Sequence, residues 1–111
     1  MRKRTVAALL AVTVAAIVAL PVLAATPKLA GTVGPGFTIS LKKPTKAGKY
    51  VLVVSDKSSI HNFRLKGLGV NVATSVAATG SKTFKVTLKK GKYTFVCDPH
   101  RTTMKGSFTI K

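Results

Sequence analysis

Glutamate is absent from the 111 residues and aspartate occurs only as Asp56 and Asp98, against 19 Lys+Arg. Tryptophan is also absent, and the single cysteine is Cys97. One cysteine can close no internal disulfide, so a disulfide-stapled scaffold is excluded. No amphipathic helical period and no internal repeat stand out beyond residue 25. The chain has few aromatics of the kind that stack on bases, which argues against specific nucleic-acid binding in spite of the basic balance.

The chain opens with Met1-Arg2-Lys3-Arg4, a short basic stretch. An Ala/Val/Leu-rich run from Val6 to Ala25 follows, with Pro21 near its end and Val22-Leu23-Ala24 before Ala25. This order reads as an export signal over residues 1–24, cleaved before Ala25. If retained, the run is long enough to anchor the chain in a bilayer. No cysteine lies near the cleavage point, so a lipid-modified N-terminus has no acceptor. Loss of Arg2, Lys3 and Arg4 lowers the formal charge from +17 to +14. Residues 25–111 then form one small domain. Domains of that size bury a modest core and often rely on a bound metal.

Beyond residue 25, short alternating runs separated by Gly, Pro and Lys replace the continuous apolar stretch. The period of two predicts strands at Phe37–Leu41, His61–Leu65, Phe84–Leu88, Tyr93–Cys97 and Gly106–Ile110, and the β-branched apolar run Tyr50–Val54 reads as a core strand. On this pattern His61, Phe63 and Leu65 share one face, as do Tyr93, Phe95 and Cys97, while Lys85 and Thr87 point outward. The Gly67–Gly80 region is less regular. Six or seven strands at this spacing predict an all-β sandwich.

The chemistry gathers at Cys97-Asp98-Pro99-His100-Arg101-Thr102-Thr103-Met104, a C-x-x-H-x-x-x-M loop at a strand end. Besides His100, the only other histidine is His61. Besides Met104, the only other methionine is Met1, which leaves with the signal. Singly, a cysteine on an apolar strand reads as a small buried hydrophobe. Together, two imidazoles, one thiolate and one thioether are the donor set of a mononuclear blue-copper centre. Its soft sulfurs favour Cu(I) and its imidazoles accept Cu(II). Structural zinc wants four strong ligands, and methionine is not one. A Cys–His hydrolase lacks a recognisable oxyanion hole.

At these residues the chain resembles the cupredoxins, the family of plastocyanin, amicyanin, pseudoazurin and azurin. The resemblance runs from about Gly31 to Ile110. It is most specific at Tyr93-Thr94-Phe95-Val96-Cys97-Asp98-Pro99-His100 with Met104, and at His61-Asn62. It implies Greek-key connections in the sandwich, His61, Cys97 and His100 as strong ligands, and Met104 as the weak axial one. Asn62 then ties the two ligand loops together beside the thiolate. The Cys–His spacing is the short kind, and the three residues between His100 and Met104 match the azurin-type tail. A dinuclear centre would need a second cysteine, and multicopper oxidases and copper nitrite reductases need further histidines.

The expected protein is therefore a non-enzymatic, monomeric, exported carrier of single electrons with one Cu(I)/Cu(II) ion. Its place is periplasmic, cell-surface or extracellular. Two alternatives use the same chain differently: a copper storage or delivery protein, and a metal-free cationic sandwich that binds anionic envelope polymers. The charge predicts an acidic redox partner or an anionic envelope surface. Lysines group at Lys42, Lys43, Lys46 and Lys49, and along an expected hairpin at Lys85, Lys89, Lys90 and Lys92. By resemblance, electrons leave at the edge of His100, within an apolar patch assigned to Pro35, Leu68, Val70 and Pro99.

Overall fold

In a computed structural model the described residues are 11–13, 15 and 25–111. The expected signal helix over residues 1–24 lies almost entirely outside them. Eight strands are present: β1 Lys28–Val33, β2 Ile39–Leu41, β3 Gly48–Asp56, β4 Arg64–Gly67, β5 Val70–Ala73, β6 Gly80–Leu88, β7 Gly91–Val96 and β8 Lys105–Ile110. They form two four-stranded sheets, ordered β2-β1-β3-β6 and β5-β4-β7-β8. The domain is the expected all-β sandwich. All pairings are antiparallel except β1 with β3, which is parallel.

Alternation decides which side chains enter the sandwich. In β7, Tyr93 and Phe95 are buried while Lys92 and Thr94 are exposed, and in β8 Phe108 and Ile110 are buried. Lys85 and Thr87 of β6 point outward and Val86 and Leu88 inward, as the pattern predicts. Phe63 stacks on Phe95, with ring centroids 5.8 Å apart and planes 5° from parallel, and Tyr93 stacks on Phe108 at 5.2 Å and 12°. Each fully buried large apolar side chain contributes about 1.5–3 kcal/mol. Gly106 lies directly across from Phe95. A Cβ there would come within 2.2 Å of the Phe95 ring, so only glycine lets that ring lie over the neighbouring strand. Among the described residues the core runs from Leu29 to Ile110.

One expected strand and one expected hairpin take a different form. His61, Asn62 and Phe63 are buried but lie outside any ladder, and β4 starts at Arg64. The Lys85–Lys92 segment is not a hairpin, because β6 and β7 belong to different sheets. The turn between them crosses the sandwich, and the Tyr93 hydroxyl accepts a 2.8 Å hydrogen bond from the Lys89 backbone N–H. That bond fixes the crossing by tying the new strand to the turn behind it.

The connections sort by end. β1–β2, β3–β4, β5–β6 and β7–β8 turn at one end of the sandwich, and β2–β3, β4–β5 and β6–β7 turn at the other, as the strand registers require.

Candidate metal centre

The first of these ends brings His61, Cys97 and His100 together. Cys97 closes β7 and continues its ladder: Val96 pairs with Lys105, and the Cys97 N–H donates to the Met104 carbonyl at 3.0 Å. Cross-strand neighbours project to the same face. Cys97 and Met104 are both buried there, at 0% and 1% exposure. Between them Asp98–His100 forms a single 3₁₀ turn, with the His100 N–H on the Cys97 carbonyl at 3.0 Å. Pro99 fits because the first residues of such a turn have no partner for an N–H. The Met104 N–H then donates to the His100 carbonyl at 2.8 Å and closes the loop.

His61 comes from the β3–β4 connection. Its Nδ1 lies 3.1 Å from His100 Nδ1 and 3.7 Å from Cys97 Sγ, and His100 Nδ1 lies 3.6 Å from the same sulfur. First-row metal bonds of about 2.0 Å to nitrogen and about 2.3 Å to sulfur, spread in a trigonal plane, would separate such atoms by about 3.5 and 3.7 Å. The observed triangle fits that spacing. These three residues are the metal-capable cluster among the described residues. The donor set, two imidazoles and a thiol in a buried place, suits a borderline or soft ion.

The surrounding polar groups hold the triangle in place. The Asn62 backbone N–H points at Cys97 Sγ at 3.4 Å. Its side chain joins the two loops: Oδ1 accepts from the Asp98 N–H at 2.7 Å, and Nδ2 donates to Asp98 Oδ2 at 2.8 Å and to the Thr74 carbonyl at 3.2 Å. Thr74 in turn accepts the Phe63 N–H on its hydroxyl at 2.9 Å. These bonds replace a ladder along His61–Phe63, which is why the segment is ordered without being a strand. Asp98 also receives Arg64 Nε at 2.8 Å and Arg101 Nη2 at 3.3 Å. The hydrogen bonds from Arg64, with help from Asn62, hold the Asp98 carboxyl below its ordinary range, and Asp98 raises Arg64 in return.

Phe37 caps the site. Its ring centroid is 5.0 Å from each imidazole, edge to face, and the residue is 62% exposed. The turn that delivers it has Gly34 and Gly36 at positive φ, 72° and 69°, conformations that side chains rarely adopt. Of the patch expected around His100, Pro35 and Pro99 lie at this end. Leu68 and Val70 do not: β4 carries the chain from Arg64 to Gly67 away from the site, and Leu68 packs at Gly91 on the opposite end. Phe37, Thr74, Arg64 and Asp98 were not singled out by the sequence pattern. The Gly-Pro-Gly turn before Phe37 was the one signal available for it.

A sequence profile described as copper binding proteins, plastocyanin/azurin family, matches residues 31–111. The chain belongs to this family. The match spans both ligand-bearing segments and seven of the eight strands in full. No curated protein is similar enough to the chain to serve as a relative. Membership in a copper-binding family and a buried His-Cys-His triangle agree on the chemistry of the site.

Proposed function

We propose that this cupredoxin holds one copper ion between His61, Cys97 and His100, with Met104 as a weak fourth donor, and passes single electrons between partners outside the cytoplasmic membrane. The observation that carries the reading is the triangle of 3.1, 3.6 and 3.7 Å around a buried thiol. Copper bound there supplies a reversible one-electron couple.

The chain's own residues do the rest. Cys97 binds as thiolate, and the Asn62 N–H shares the charge of its sulfur. The 3₁₀ turn and the Cys97–Met104 rung fix the loop, so the donors keep their places when the charge at the centre changes. Cys97 and His61 are shut off from water, while His100 is half-buried and offers its edge to a partner, beside the exposed ring of Phe37. A monomer with an acidic redox partner at the His100 edge fits this arrangement, as does export through residues 1–24 with residues 25–111 as the working domain.

Titration of residues 25–111 with Cu(II), followed in the visible, tests the proposal. The expected result is an intense thiolate-to-copper band that reductant bleaches and that Cys97→Ser abolishes. Weak binding indifferent to Cys97 overturns it.

A further inference from the structure

The positive charge is not spread evenly. Both acids of the chain, Asp56 at the close of β3 and Asp98, lie at the site end. So do both arginines of the domain, and both contact Asp98. The opposite end carries lysine alone.

The β2–β3 connection brings Lys46 there, and β3 opens with Lys49 beside Gly48, which pairs with Leu88. The sheet-crossing turn adds Lys89 and Lys90, the start of β7 adds Lys92, and the chain terminus adds Lys111 next to Ile110, whose partner is Gly91. Lys28 and Lys85 flank Val51 on either side and so project from the same outer face. All of these lysines are exposed, and none makes an ion pair among the described residues. The pole lies about 26 Å from the site end, the length of β3 at about 3.3 Å per residue.

Its composition discriminates between partners. Specific protein docking sites are anchored by aromatic residues and arginine, whose fixed fork reads carboxylates in one geometry. The pole has no arginine, and Leu68 is its lone exposed large apolar side chain, whereas Phe37 and Ile60 are exposed at the other end. Lysines on flexible stems act as point charges and suit a diffuse, laterally mobile layer of phosphates. The chain also enters here. β1 runs from Lys28 toward the site, and the Val51 N–H takes the Pro27 carbonyl at 2.9 Å, so residues 25–27 leave at the lysine end. If retained, the apolar run Val6–Ala25 would hold this same end at the bilayer.

We infer that the lysine pole lies against an anionic phospholipid surface and turns the His61–Cys97–His100 end away from the bilayer. The inference takes its setting from the proposed export but does not depend on the metal. Juxtamembrane lysines contribute about 1 kcal/mol each near anionic lipid, and the attraction is screened within a Debye length.

The test uses metal-free residues 25–111, cosedimented with phosphatidylcholine vesicles with and without phosphatidylglycerol. Two variants of equal charge are compared: Lys46→Glu/Lys89→Glu/Lys90→Glu at the pole, and Lys57→Glu/Lys82→Glu/Lys105→Glu at the site end. A thermal melt checks that each is folded. Binding should need phosphatidylglycerol, fall steeply with salt, and drop about a hundredfold in the pole variant but less than about tenfold in the other. Equal losses in the two variants would show net charge without orientation and overturn the inference. So would no binding to phosphatidylglycerol vesicles, or release from them by polyphosphate at matched phosphate concentration, which would assign the pole to a soluble polyanion. The copper titration reads neither outcome, so the two proposals fail separately.

Discussion

The two ends of the sandwich use polar side chains in opposite ways. At the site end Asn62, Thr74, Arg64 and Asp98 are bonded to one another and to the ligand loops, so each polar group has a fixed address. At the lysine end the polar side chains that bond are two tyrosines, each to backbone: the Tyr93 hydroxyl accepts from the Lys89 N–H and the Tyr50 hydroxyl donates to the Lys46 carbonyl, while the cations themselves touch nothing charged. A polar network that orients donors has to be bought with burial and exact partners, while a surface charge array needs only exposure. Changes at the first end should therefore spread, and changes at the second should stay where they are made.

The strongest way to break that contrast is Asn62→Ala. It leaves the Asp98 N–H and the Thr74 carbonyl without their partner in a buried place, and should cost about 2–4 kcal/mol in metal-free protein. Urea denaturation measures it. A loss under about 1 kcal/mol would mean that the two loops hold their places without the asparagine.

Asp98→Asn gives a smaller effect with a pH signature. The folded-state carboxyl of Asp98 titrates below its ordinary value of 3.8 because Arg64 and Asn62 bond its charged form. Its contribution is thus complete above pH 3.8 and is lost as pH falls through the lower folded value. The gap in stability between parent and Asp98→Asn should be widest near neutrality and close on acidification below pH 3.8. A gap independent of pH would remove the ion pair from the account.

The smallest change is expected from Lys46→Ala with Lys90→Ala. Stability should move by less than about 0.5 kcal/mol, and upward if at all, since like charges are being thinned. A clear loss in a thermal melt would show that these lysines are structural after all, and would erase the distinction between the ends.

Strands with a period of two are legible in the sequence. β6, β7 and β8 fall where alternation places them, because each buries one face against the same core, and β3 falls on the β-branched apolar run Tyr50–Val54. β1 carries no such mark: Leu29 and Val33 are buried, but Ala30 and Gly31 between them are too small to show a face. β5 hid in a stretch of small and polar residues for the same reason. At the site, Cys97, His100 and Met104 share one loop and could be read directly. His61 lies 36 residues from Cys97 and was reached through the inventory of donors and the family resemblance. What alternation cannot supply is direction. The resemblance puts Leu68 in the His100 patch, yet β4 carries the chain from the His61 end to the opposite one. Phe37, Thr74 and Asp98 depend on which loops share an end, and that is decided by the topology of two sheets rather than by any local pattern.

The 0% exposure of Cys97 has a further consequence. Outside a cell, a lone thiol is prey to disulfide exchange and to stepwise oxidation, both of which need the sulfur to meet a reagent. Here the sulfur is fully buried with both imidazole Nδ1 atoms within 3.7 Å, and a reagent reaches it only when the segments around it open. The lifetime of the free thiol is then set by how often they open, and the hydrogen bonds that hold the Cys97–Met104 loop in place serve as part of its antioxidant.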